Sequence, residues 1–178
     1  MKKYKYDIYR YYGKYQCTWK ERLTRPNQLK YIILLRKCNS GNQLLKLYHF
    51  FRLLRLGNKT SIQIPYKTKI GKGFYIGHCG RVIINKDVHI GRNCNIATGV
   101  TIGQENRGER KGCPTIGDSV WIGTNSVIVG KINIGNDVLI APLAYVNFDV
   151  PDHSIVIGNP AKIIPKKEAT NGYINNKV

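Results

Sequence analysis

Between Ile64 and Val146 the chain sets an aliphatic residue at every sixth position in three unbroken runs, a period that neither a helix nor an ordinary strand has. Ile64, Ile70 and Ile76 open the beat; Ile84, Ile90, Ile96 and Ile102 resume it; Ile116, Ile122, Ile128, Ile134, Ile140 and Val146 complete it. Two residues ahead of most of these stands a second small or branched residue: Val82, Val88, Cys94, Val100, Val120, Ser126, Ile132, Val138 and Ala144. A helix repeats on 3.6 residues and a strand on two. Six is three strand periods, and the glycine that follows many of the isoleucines marks a bend. Each hexad therefore reads as a short strand and a corner, and three hexads as one triangular coil. Stacked coils pair in parallel around a buried column of Ile and Val. The thirteen aliphatic positions predict a little over four coils. The fold class is mainly β, a parallel β-helix over residues 61–165, with a short tail at 166–178.

Residues 1–60 follow another grammar. They carry 15 Lys and Arg against Asp7 and Glu21, a net of +13 of the chain's +19; residues 61–178 carry 14 against 8, a net of +6. Such a field selects anionic partners: phosphates, acidic polysaccharide, lipid head groups or nucleic acid. After a tyrosine-rich basic stretch at 4–15, the segments QLKYIILLRKC and NQLLKLYHFFRLLRLG read as two helices separated at Asn39-Ser40-Gly41-Asn42. In the second, Leu44, Leu47, Tyr48, Phe51 and Leu54 make one apolar stripe, with Lys46, His49, Arg52 and Arg55 largely off it. Two uses are open: an N-terminal α-helical cap packing that stripe on the β-helix, which is the expected one, or contact with a membrane surface. The opening residues lack an apolar stretch of signal-peptide type, and no aliphatic run is long enough to span a bilayer. Five cysteines without paired spacing suggest neither a disulfide framework nor a zinc knuckle. A cytoplasmic location, peripheral to the inner membrane face if the basic helices reach it, is the expectation.

Function in a solenoid sits where the repeat breaks. One break is the polar, glycine-rich loop GQENRGERKGCP, residues 103–114. The other is a two-residue slip at Gly77-His78-Cys79-Gly80. Imidazole is the side chain best matched to deprotonating an alcohol near neutral pH, and glycines on both flanks leave room for reactants. His78 is thus a candidate general base; the plain alternative is a corner histidine bonding a carbonyl. His89 and His153 lie in regular repeats or the tail and His49 in a helix, so three convergent histidines are not expected and no metal is called for. Cys79, as a strand neighbour of His78, should point to the opposite face.

The motifs IPYKTKIGKGFYIGH, VTIG, PTIGDSVWIGTNSVIVG and VIGNPAKII resemble those of the hexapeptide-repeat acyltransferases, above all the serine acetyltransferases and the related O-acetyltransferases of surface polysaccharides. The resemblance covers about residues 62–165 and implies a left-handed β-helix, an exception to the usual crossover hand. It also implies acetyl-CoA as co-substrate, a homotrimer with sites between subunits, and His78 as catalytic base. The family's orienting aspartate falls on Gln63, which can accept a hydrogen bond but not neutralise an imidazolium. Positions that grip serine through an acidic residue and an Arg-His pair hold Gly77, Gly112 and Cys113 here. A serine site without them leaves the zwitterion unpaired, so a saccharide hydroxyl is the expected acceptor and free serine the alternative. For the cofactor the resemblance points to Gly103, Gly123 and Thr124, with Lys162, Lys166 and Lys167 near its phosphates. Two readings from other classes are a basic nucleic-acid binder, not expected without a reading module, and a non-catalytic scaffold.

Overall fold

The computed structural model describes residues 2–178. Four helices come first: α1 (Lys3–Tyr12), α2 (Trp19–Leu23), α3 (Asn27–Lys37) and α4 (Gln43–Thr60). The chain then winds as a left-handed β-helix of about five coils with three faces. Face A stacks β1 (Ile62–Gln63), β4 (Val82–Ile84), β7 (Thr101–Gly103), β10 (Val127–Val129) and β13 (Tyr145–Val146). Face B stacks β2 (Lys69–Ile70), β5 (His89–Ile90), β8 (Thr115–Ile116) and β11 (Asn133–Ile134). Face C stacks β3 (Tyr75–Ile76), β6 (Asn95–Ile96), β9 (Trp121–Ile122), β12 (Val138–Ile140), β14 (Ser154–Ile157) and β15 (Lys162–Pro165). Neighbouring coils pair in parallel, Ile76 with Ile96 and Ile96 with Ile122, so each hexad aliphatic sits on the one below. Among the described strands only β14 and β15 are antiparallel, a hairpin that ends the stack.

All thirteen beat positions are at most 5% exposed, and the second series is buried equally deeply. At about 1.5–3 kcal/mol for each fully buried branched side chain, this column dominates the stability of the solenoid. The fifth coil escaped the sequence count because its aliphatics leave the six-residue beat: Val150 bridges to Ile134, and β14 pairs with β12 without a hexad. At the corners between faces B and C, carboxylates and amides tie coil to coil. The Arg92 N–H donates to Asp118 Oδ1 (2.7 Å), that of Asp118 to Asn136 Oδ1 (2.8 Å) and that of Asn136 to Asp152 Oδ1 (2.7 Å). Burial alone would raise the Asp118 pKa, but the Arg92 backbone N–H and guanidinium hold it below the usual carboxylate range.

The first coil would expose three unpaired strand edges, and the helices close all of them. On face A, the Tyr31 hydroxyl donates to Ile64 O (3.1 Å) and accepts from Ile64 N (3.0 Å). On face C, the Tyr11 hydroxyl does the same for Ile76, at 2.6 and 3.1 Å. Burial pushes both phenols up, so they remain donors. On face B, the Arg36 guanidinium donates to Ile70 O (2.7 Å) and to Gly71 O, and it pairs with the buried Asp7. Asp7 in turn accepts from Phe74 N at 2.9 Å. Arg10 is buried too, reaching Asn95 Oδ1 at 2.5 Å and Asn175 O at 2.9 Å.

Two segments gain definition and one expectation changes. The tyrosine-rich opening is helical over Lys3–Tyr12 as α1, and its Tyr11 caps a strand edge. The tail is docked: Asp137 accepts from the Ala169 and Thr170 N–H groups, and Val178 exchanges hydrogen bonds with Asn93. The stripe on α4 is not what packs. Leu53, Gly57 and Thr60 face the protein, whereas Leu44, Leu47, Tyr48, Phe51 and Leu54 lie on the opposite side, exposed. Leu53, Gly57 and Thr60 also recur at helical spacing, and this shorter row packs because Gly57 lets the helix approach Tyr31 and Ile62 closely.

Candidate active site

Three corners joining face C to face A are alike. Ala97-Thr98-Gly99, Gly123-Thr124-Asn125 and Ala141-Pro142-Leu143 each put three residues between buried positions (Ile96 and Val100, Ile122 and Ser126, Ile140 and Ala144), and the third has left-handed φ (80°, 58° and 65°). They stack by one rule: the third residue's N–H donates to the second residue's carbonyl one coil below, Asn125 to Thr98 (3.0 Å) and Leu143 to Thr124 (2.9 Å). The first corner breaks this rule. Between Ile76 and Val82 stand five residues, Gly77 to Arg81, and Gly99 N donates to Arg81 O (2.6 Å). Arg81 has taken the stacking place that His78 would hold in a three-residue corner. The excess chain is thereby thrown off the stack, and His78 projects from it, exposed.

This excursion is clasped on two sides. Gln28, in the first turn of α3, donates to Gly77 O (3.1 Å) and accepts from Cys79 Sγ (3.2 Å). Gly80 N donates to Thr60 O at the end of α4 (3.0 Å). Gly80 has φ of 143°, and a Cβ there would collide with Thr98 Oγ1, so only glycine lets the corner rejoin the stack. Residues 77–80 form a bend, not a strand, so the expected opposition of His78 and Cys79 does not apply. Cys79 is kept apart by Gln28 instead. Gln28 carried no signal in the sequence, because nothing local links position 28 to position 78.

Gln63 lies on face A, exposed, with Ile83 beside it, and no hydrogen bond joins it to His78. Gly103 ends β7 at the far edge of face A, and Gly112 and Cys113 lie beyond it at the loop's exit. Within one chain, Gly77 and His78 are therefore on one edge of face A, and Gly103 and Cys113 on the other. The 103–114 loop folds back as a small hairpin, Glu105 and Gly112 exchanging backbone hydrogen bonds of 3.0 Å, with Arg110 O accepting from Lys131 N. Burial raises the pKa of the Cys113 thiol, with Asp87 adding to the effect, which disfavours its thiolate form.

Gly123 and Thr124 share the His78 edge, two coils along. The Gly123 N–H is already used, donating to Ile140 O at 2.8 Å. Among the described residues those of Thr124 and Gln104 have no acceptor, so these are the available donors. Beside that edge runs a groove of about 930 Å³ between face C and the tail, lined by the apolar Trp121, Leu139, Pro142 and Ile155 and by the charged Lys166, Lys167 and Glu168. An apolar surface beside two cations, which outnumber the one carboxylate, suits an extended chain that carries phosphates. Lys162 is exposed on β15, outside the groove lining. Among the described residues no three His, Cys, Asp or Glu side chains gather as metal ligands, and all five cysteines are free thiols.

The fold and the single broken corner invite comparison with known proteins. No family model matches the chain. The serine acetyltransferase of Bacillus pumilus is 34% identical over 121 residues, covering 67% of this chain and 56% of that protein. The Helicobacter pylori (strain 26695) serine acetyltransferase is 37% identical over 107 residues, 60% of this chain and 63% of that one. The chain is a homologue of the serine acetyltransferases. Solved structures agree with this homology. The soybean serine acetyltransferase apoenzyme superposes with a TM-score of 0.69 at 26% identity, over 83% of this chain and 62% of that one. The Neisseria gonorrhoeae serine acetyltransferase in complex with serine superposes at 0.71 and 27%, over 92% and 68%. The homologue spans a little over half the length of the first two relatives.

Proposed function

We propose that this chain is an acetyl-CoA-dependent O-acetyltransferase of the serine acetyltransferase kind, with His78 as general base and serine as acceptor. The observation that carries the reading is the five-residue corner, which takes one imidazole out of an otherwise regular stack and holds it in the open between glycines. His78 accepts the proton of the acceptor hydroxyl as the oxygen attacks, a role worth about 10²–10⁴-fold. The thioester supplies an activated acetyl group and a thiol leaving group. The free N–H groups of Thr124 and Gln104 are suited to the oxygen that gains charge, and Lys166 and Lys167 to phosphate. Gln63 is a candidate partner for the imidazole once the site closes around it. Because Gly103 and His78 stand on opposite edges of face A, a complete site takes its two halves from two subunits, and a closed ring of three chains supplies them by heterologous contacts. A reducing compartment suits the five free thiols.

Homology favours serine over the saccharide hydroxyl that the sequence suggested. One observation keeps the saccharide as a second reading: Gly77, Gly112 and Cys113 offer no charge to a zwitterion. The test is thiol release from acetyl-CoA, measured with free serine and then with nucleotide sugars and oligosaccharides. Serine-dependent release that His78→Ala removes is the expected result. Release with sugars alone replaces serine by the second reading, and no release with any hydroxyl acceptor overturns the proposal.

A further inference from the structure

We propose that α4 docks this protein on an anionic lipid bilayer, its bare stripe entering the interface and the cationic groove beside it taking phosphate head groups. The helix has two apolar sides. One is used by the fold. The other, Leu44, Leu47, Tyr48, Phe51 and Leu54, is 48–78% exposed and runs for three turns along the outside of the molecule. Such a face on the surface of a chain needs an occupant.

The charge around it selects one. No Asp or Glu occurs between Gln43 and Thr60. A groove of about 460 Å³ between α3 and α4 is lined by Arg25, Lys30, Lys37, Arg52, Arg55 and Lys59. Among the described residues none of these six pairs with a carboxylate. The floor is Ile33, Leu34 and Leu56. Arg25 Nε is buried beside it without a hydrogen-bond partner. Arg52 links the two features, since it lines the groove while its guanidinium lies 5.4 Å from the Tyr48 ring of the stripe and donates to its hydroxyl. Apolar stripe and basic flank on one helix are the pattern of a helix lying in the membrane interface. Among the described residues no helix is long and apolar enough to cross a bilayer, so the contact lies on the surface. A second copy is a poorer occupant. Joining two stripes brings two unpaired basic grooves together, a repulsion that salt screens only beyond about 8–10 Å.

The test is flotation of the full chain with vesicles of phosphatidylcholine alone or mixed with phosphatidylglycerol. Binding to the mixed vesicles only, weakened by added salt, is expected. Leu47→Glu with Phe51→Glu should abolish it. Arg52→Glu with Arg55→Glu should lower it about tenfold or more at low salt. All four positions are exposed, and thiol release from acetyl-CoA should be unchanged in both variants. The proposal fails if mixed vesicles float no more protein than neutral ones, or if the Leu47/Phe51 variant binds like the parent. It fails equally if sedimentation shows that variant splitting a larger assembly into smaller ones, which would make a second copy the occupant. The charge variant stands as an independent readout should the stripe variant fold poorly.

Discussion

The corner at Gly77–Arg81 and the three corners stacked beyond it are made from the same kind of strand and join the same two faces, yet they differ by two residues. In the short corners, the third residue's N–H bonds the coil below and the middle residue's carbonyl receives the coil above, so no chain is left over to leave the edge. In the long one, Arg81 carries the stack and the surplus is free to display a side chain. The comparison teaches that a solenoid this regular can hold a reactive group out of its wall only by adding chain, and that the added chain needs its own supports. Those supports come from outside the solenoid, from Gln28 on α3 and Thr60 on α4.

The comparison breaks most completely at the imidazole itself. His78→Ala should lower thiol release from acetyl-CoA about 10²–10⁴-fold while leaving the melting temperature within a degree or two of the parent, because the side chain is exposed and contributes little to the fold. Equal activity in the variant would reduce the long corner to an ornament.

The junction is the next point to break. Gly80→Val forces a branched residue to a φ of 143° against Thr98, where glycine is the residue that fits. A cost of about 1–3 kcal/mol should lower the melting temperature by roughly 2–12 °C, taking about 2–4 °C per kcal/mol for a chain of this size. Activity should fall with it, since the corner cannot both rejoin the stack and present His78. An alternative corner geometry would reveal itself as an unchanged melt.

A third variant separates support from stability. Gln28→Ala removes both hydrogen bonds to the corner, each worth about 0.5–1.5 kcal/mol, from a part-buried site that is not in the core. Thiol release should drop several-fold with little change in melting. Gln28→Glu keeps an acceptor for Cys79 but loses the donor to Gly77, and it should fall between the two. If Gln28→Ala lowers the melting temperature while activity per folded molecule holds, the clasp is structural only.

Much of this could be read in advance, and the reasons are physical. The hexad positions are legible because each coil repeats the same local burial, so Ile76, Ile96 and Ile122 announce their stacking without any long-range knowledge. The slip at His78 is legible for the same reason, as a fault in a regular signal. The cap was not. Tyr11, Tyr31 and Arg36 meet strand edges through contacts 33 to 65 residues away in the chain, as Gln28 meets Gly77 across 49. Nothing in a window of sequence marks a hydroxyl that will stand in for a missing strand. The stripe of α4 was legible as a stripe but not by its direction, because two apolar rows on one helix compete and only packing decides between them. Serine as acceptor was weighed against the charges absent at Gly77, Gly112 and Cys113, and homology over the solenoid reverses that order.

The smallest effect has the opposite sign. At Leu143 a short corner places a large residue at φ 65°, fully regular in its hydrogen bonding yet in the region that Asn tolerates and Leu does not. Leu143→Asn should relieve that strain without emptying a core, because the side chain is 68% exposed. A gain of about 0.5–1 kcal/mol is the expectation, seen as a rise of roughly 1–4 °C in melting temperature. The same residue placed at Gly80 should instead lose stability, since its Cβ meets Thr98 at a φ beyond the range that asparagine accepts. Opposite shifts from one side chain at two corners would establish that the long corner is built on different backbone rules from its neighbours, and equal shifts would mean that the two added residues leave the corner's backbone essentially like the rest.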